Sequence, residues 1–218
     1  MALAVAPIFV VNGFRVLAHD WFVRYELGRD EVPADRYGLS ARERLDLALT
    51  GLHSIRPESA GIALLEAAKL PDGLPAFDAR ELRHMADVRR MLGAAYKAQL
   101  VALVLLVVAA LALARSSRWR TVVPRGLQVG SALTLAVAVL AIPVILLGFE
   151  GFFLRFHEIF FSGNSWRFSN TDTLLRLYPE ELWQDTSQLI AGIVLGQAVV
   201  VALAATWWLR RLAPRSAS

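Results

Sequence analysis

Residues 98–114 read AQLVALVLLVVAALALA, a run without a single charge that closes at Arg115. A helix rising 1.5 Å per residue needs about 17 to 25 residues to cross a bilayer, so this run can span by itself. Two more runs of the same kind follow, LQVGSALTLAVAVLAIPVILLG at 127–148 and LIAGIVLGQAVVVALAATWWL at 189–209. Soluble proteins seldom bury three helices this long with no internal charge, and we read all three as spans. Upstream, Ala2 to about Val23 is also apolar but carries Asn12, Arg15, His19 and Asp20. It is expected to be an uncleaved first span. No basic residue precedes it, as in a signal peptide, and no small-residue cleavage pattern follows it. Its short start is the pattern expected when the initiation codon lies upstream.

Composition agrees. Of 218 residues 56% are hydrophobic and 19% charged, against about 25% charged in soluble domains, which argues against a free-standing soluble globule. The chain has no cysteine, which excludes disulfides, thiolate metal sites, a cysteine nucleophile and a lipid-anchored cysteine. The net charge of +4 does not point to nucleic acid, because the arginines flank apolar runs instead of forming a basic face.

Those arginines set an expected orientation. The loop after the second span has Arg115, Arg118, Arg120 and Arg125 and no acid, and the tail has Arg210, Arg211 and Arg215 and none, so both are expected in the cytoplasm. His19 to Lys97 holds 12 basic and 13 acidic residues, and Phe149 to Gln184 holds 3 and 5; these segments are expected outside. The expected fold is an all-α membrane protein of four transmembrane helices with a small helical extracytoplasmic cap. Its segments are a first span at 1–23, an outer segment at 24–97, a second span at 98–115, a cytoplasmic loop at 116–125, a third span at 126–148, an outer interfacial loop at 149–185, a fourth span at 186–209 and a cytoplasmic tail at 210–218.

Within the cap, Ser40 with Glu43 predicts a capping box ahead of ARERLDLALTGLHSI, and Asp78 with Glu81 predicts a second ahead of DARELRHMADVRRML. Pro57 suits the first turn of a helix over ESAGIALLEAAKL, which Pro71, Gly73 and Pro75 break, and Gly93 marks a possible bend before the second span.

The familiar soluble-enzyme signatures, GxSxG, HExxH and phosphate-binding glycine loops, are absent. Two constellations remain. Glu81, His84 and Asp87 lie three residues apart on one helix, so they project near one face, where a carboxylate one turn away can orient an imidazole. The alternative is a solvated face in which Arg80, Arg83, Arg89 and Arg90 pair with those acids. The second is GFEGFFLRFHEIFFSGNSW at 148–166. At helical spacing His157 joins Phe149, Phe153, Phe156, Phe160 and Phe161, opposite Arg155, Glu158 and Ser162. Desolvation there favours the neutral imidazole that a general base needs. Glu150 falls on the same side as His157, about 10 Å along the axis. Asn12 and Arg15 lie within the first span, where polar groups are functional candidates unless they snorkel to the surface. Trp166, Tyr178 and Trp183 suit interfacial anchors, and His19 and His53 show no partner pattern.

The segments ELRHMADVRRM at 81–91 and FHEIFFSGNSWRFSNTDTLLRLYPEELW at 156–183, with PIFVVNGFRV at 7–16 and GLS at 38–40, resemble the lipoprotein intramolecular transacylase (Lit) family of four-span bacterial membrane proteins. That resemblance implies O-to-N acyl transfer within a diacylglyceryl-modified lipoprotein, from the sn-2 oxygen to the α-amine of the lipidated cysteine, at the outer face of the cell membrane. It implies His84 and His157 as the catalytic pair, no cofactor, no metal, and no partner beyond the lipoprotein substrate and membrane lipids. Such a transfer needs an acid, a base and oxyanion donors, but no enzyme nucleophile. His157 is expected as base and His84 as acid, with Glu81 or Asp87 orienting His84; Glu150, Arg15, Asn12, Asn164 and Trp166 are expected to support the site or contact substrate. Two rival readings stand beside it: a metal-dependent hydrolase using Glu81, His84 and His157, and a non-enzymatic accessory subunit.

Overall fold

The computed structural model describes residues 1–116 and 119–213, so Arg118 and Arg215, both used above for orientation, lie outside the described residues. Nine helices run in order among the described residues: α1 (Ala2–Leu17), α2 (Asp20–Leu27), α3 (Ala41–Ser54), α4 (Ala63–Ala67), α5 (Ala79–Ala114), α6 (Val122–Leu147), α7 (Phe149–Phe160), α8 (Thr173–Leu177) and α9 (Glu180–Leu212). Three of them, α5, α6 and α9, are long and apolar enough to cross a membrane, and α1 with α2 make a fourth if that broken pair counts as one span. The all-helical membrane fold read from the sequence is the fold observed.

The chain divides into two compact units. The first comprises the described residues of Met1–Phe14, Tyr96–Val144 and Gln188–Ser218. Its interior is Val5, Ile8, Phe9, Val194 and Ala198, whereas Leu100, Leu111, Val137, Leu140, Val200 and Leu203 face outward. That inversion of the soluble pattern is what hydrocarbon solvent permits. Helices approach closely where a side chain is missing: a Cβ on Gly130 would lie 2.5 Å from Val5 Cγ2 and 2.8 Å from the Ala2 carbonyl. Polar groups are matched inside. Asn12 Nδ2 donates to Gln197 Oε1 at 2.7 Å, and Gln99 Nε2 donates to Asn12 Oδ1 at 2.8 Å. The Asn12 amide therefore ties α1 to α5 and α9.

The second unit, Arg15–Ala95 with Ile145–Ser187, is the helical cap. Leu47, Ala48, Leu52, Leu65, Phe77 and Leu177 lie in its core. Both capping boxes form. Glu43 N donates to Ser40 Oγ while Ser40 N donates to Glu43 Oε2, and Glu81 N donates to Asp78 Oδ1 while Asp78 N donates to Glu81 Oε2. Arg176 and Asp35 make a buried ion pair at 2.8 Å.

Three local expectations change. The first apolar stretch is not one helix to Val23: it breaks at Ala18 and His19 and restarts at Asp20. Asp20 accepts from His53 Nε2 at 2.8 Å and Arg56 at 2.6 Å, which pins the chain there and also gives His53 a partner. Pro57 begins no helix; it sits in a turn, its carbonyl accepting from Arg89, and only Ala63–Ala67 is helical beyond it. Gly93 interrupts nothing, since α5 is continuous through it. The Pro71–Pro75 break is observed as a tight turn with Gly73 at φ +85° and a bridge between Lys69 and Pro75.

Candidate active site

The site is built within the cap unit from two helices and the chain that follows the second. α5 carries His84 one turn after its capping box, and α7 carries His157 in its last turn. α7 ends at Phe160; Phe161 is already extended at φ −126°, ψ 130°, so the turn 161–166 folds back and delivers Phe161 and Trp166 to the histidines. The two imidazoles lie face to face, centroids 5.9 Å apart and planes 27° apart. His84 meets the rings of Phe161 at 4.9 Å and Phe168 at 5.3 Å. His157 meets Phe153 at 4.1 Å, Trp166 at 5.2 Å and Phe161 at 5.4 Å.

His84 and His157 are each 8% exposed and Trp166 7%. Burial disfavours the charged imidazolium, so it lowers both histidines. His84 falls to about 4, through burial first and then the neighbouring His157, with Asp87 opposing. His157 falls less far, because its bond to the Phe153 carbonyl opposes burial. At neutral pH both rings are uncharged.

The hydrogen bonds then fix one tautomer. His157 Nδ1 lies 2.8 Å from the Phe153 carbonyl oxygen. A carbonyl only accepts, so Nδ1 carries the proton and Nε2 keeps its lone pair. His84 Nδ1 and Trp166 Nε1 are buried without any partner. An indole nitrogen is only a donor, and a buried donor left unpaired costs about 1–3 kcal/mol. The site thus holds a basic nitrogen, a spare N–H and a second spare ring nitrogen inside an aromatic box.

The expected supporting residues fall into two groups. Glu81 does not orient His84: Oε2 accepts from Asp78 N and Oε1 from Leu174 N at 2.7 Å. It joins α5 to the start of α8, and burial raises its pKa against those two bonds. Asp87 pairs with Arg90, and neither acid hydrogen-bonds His84. With Glu81 occupied, the proposed Glu81, His84 and His157 metal set is not available; among the described residues no group of three or more such side chains is arranged to hold a metal ion. Glu150 is exposed in the first turn of α7, and Arg15 is exposed in the last turn of α1. Asn164 is exposed on the chain leading to Trp166. Tyr178 is no surface anchor: its hydroxyl donates to the Ala48 carbonyl against Gly51, where a Cβ would lie 2.3 Å from it. Sequence reasoning missed Phe168 and the Phe153 carbonyl. The i−4 spacing of Phe153 and His157 was the available signal for the second, and nothing local marks the first.

The sequence model of the lipoprotein intramolecular transacylase Lit matches residues 17–183. An uncharacterized protein of Aquifex aeolicus (strain VF5) is 32% identical over 177 residues, covering 81% of this chain and 78% of that one. The fold is similar to the in meso structure of the membrane integral lipoprotein intramolecular transacylase Lit from Bacillus cereus, with a TM-score of 0.78 at 19% identity, covering 96% of this chain and 93% of that one. A form of that protein with one histidine replaced by alanine superposes with a TM-score of 0.71 at 18% identity, covering 96% of this chain and 90% of that one.

Proposed function

The chain belongs to the lipoprotein intramolecular transacylase family, and from that membership and the geometry around His157 we propose that it moves the sn-2 acyl chain of a diacylglyceryl lipoprotein to the α-amine of its N-terminal cysteine. The observation that carries the chemistry is the bond from His157 Nδ1 to the Phe153 carbonyl, which leaves Nε2 as a base in a neutral ring.

The neutral amine attacks the ester carbonyl, forming the C–N bond and an oxyanion. His157 Nε2 takes the proton that nitrogen loses and returns it to the glyceryl oxygen as the C–O bond breaks. One proton moves from nitrogen to oxygen, so a single residue serves as base and then as acid. The indole N–H of Trp166, unpaired in the free protein, donates to the oxyanion. His84, which burial keeps uncharged at neutral pH, stacks on His157 with its Nδ1 unpaired and offers that nitrogen to the reacting groups. Because amine and ester belong to one molecule, holding them together supplies much of the rate. Family membership supports a bacterial cell membrane, and arginine placement supports both termini in the cytoplasm and the site outside.

Mass spectrometry of the N-terminal lipopeptide of a lipoprotein, expressed in a host lacking N-acylation, tests the reading. An N-acyl, S-monoacylglyceryl cysteine should appear with this protein and vanish with His157→Ala. An unchanged diacylglyceryl peptide beside folded wild-type protein would overturn it.

A further inference from the structure

The cap unit has an open cleft of about 570 Å³, lined among others by Arg80, Arg83, Asp87, Arg90, Asn164 and Ser165. Its volume falls in the range of ligand clefts, and it opens to the surface. Its lining residues neighbour the site residues along the chain: Arg83 precedes His84 on α5, and Ser162 to Ser165 link Phe161 to Trp166.

The lining is short of acceptors. Arg80 is engaged by Asp172 at 2.7 Å and Arg90 by Asp87. Arg83 is exposed and has no ionic or hydrogen-bonding partner among the described residues. The Asn164 amide has none either, and the buried Ser165 hydroxyl is unpaired. A cleft offering a free guanidinium, an amide and a hydroxyl fits a ligand rich in anionic and carbonyl oxygens.

We propose that this cleft receives the polypeptide of the lipoprotein just after its lipidated cysteine, and that Arg83 makes it favour acidic residues there. The inference rests on the transacylase reading: a lipoprotein reacting at His157 necessarily brings its own chain to the rim of the site, and that chain needs a polar way out. Ala86 apart, the lining side chains carry hydrogen-bonding groups, which a peptide backbone can pair with and an acyl chain cannot.

The test uses the full-length protein in detergent micelles and fluorescent diacylglyceryl-cysteine peptides continuing Ser-Asp-Asp, Ser-Ser-Ser or Ser-Lys-Lys. Affinity is read by anisotropy and turnover by mass spectrometry. The Asp peptide should bind about tenfold tighter than the Lys peptide, less so at high salt. Arg83→Glu should reverse the order, and Arg83→Lys should keep it. Equal affinities in the wild type would overturn the proposal. So would an Arg83→Glu change that alters binding to phosphatidylglycerol vesicles but not to peptides, since the anion held would then be a lipid headgroup. Acyl transfer without charge ranking overturns the cleft alone; charge-ranked binding without acyl transfer overturns the reaction and leaves the cleft.

Discussion

Replacing Trp166 by Phe separates a catalytic donor from a packing residue, because the two roles move activity and stability in different directions. The indole is 7% exposed and its N–H has no partner, so in the free protein that donor is a liability of about 1–3 kcal/mol that Phe removes. Phe also buries roughly 40 Å² less ring, which costs about 1 kcal/mol at 25 cal/mol per Å². The net expectation is a variant as stable as the wild type, or up to about 2 kcal/mol more stable. In the proposed reaction the same N–H meets the oxyanion, and loss of one such donor should lower kcat by about 10²- to 10³-fold. Single-turnover mass spectrometry on a lipopeptide gives the rate, and thermal unfolding in the same detergent gives the stability. A kcat within about threefold of the wild type would refute the donor role. So would a loss of rate that tracks a fall in Tm, since Trp166 would then serve packing alone.

The pH profile follows from the uncharged histidines. The kcat/KM should climb as the substrate's α-ammonium loses its proton, near 7.7–8.0, without the descending limb that an imidazolium acid would impose; a bell falling through pH 7 would refute the single-residue shuttle. His84 titrates at about 4 when folded against 6.5 as its ordinary value. The unfolded chain therefore binds the proton first, so the stability from neutral His84 is complete above about 6.5 and drains away down to about 4. Unfolding of His84→Phe at pH 7 and pH 5 should show a smaller difference than the wild type. Arg176→Met leaves Asp35, whose side chain is 1% exposed and whose carboxyl the guanidinium holds down to about 2, buried without its cation. It should cost about 3–5 kcal/mol in urea unfolding of the cap, and a loss under 1 kcal/mol would contradict the pairing. Gly130→Ala should cost about 1–3 kcal/mol through overpacking against Val5 and Ala2. Gly192→Ala, with open space at its Cβ, serves as the neutral control by detergent thermal unfolding.

Much of this protein was settled locally. The charge-free runs at 98–114, 127–148 and 189–209 become helices because in hydrocarbon the backbone must satisfy its own hydrogen bonds. The Ser40 and Asp78 capping boxes form because each joins residues three apart. The same local logic placed His157 among phenylalanines on α7. Other features needed the folded chain. That His84 and His157 stack was not written in either segment, because no period links α5 to α7. Glu81 shared a helix face with His84 and so read as its partner, yet the α8 backbone offered Leu174 N, and an otherwise unpaired buried amide outcompetes an imidazole for that carboxylate. Asn12 read as a site residue until two glutamines from distant helices closed around its amide. Spacing determines which residues share a face; only tertiary structure determines which donors and acceptors remain unpaired after the core has closed, and His84 Nδ1 and Trp166 Nε1, beside His157, are among them.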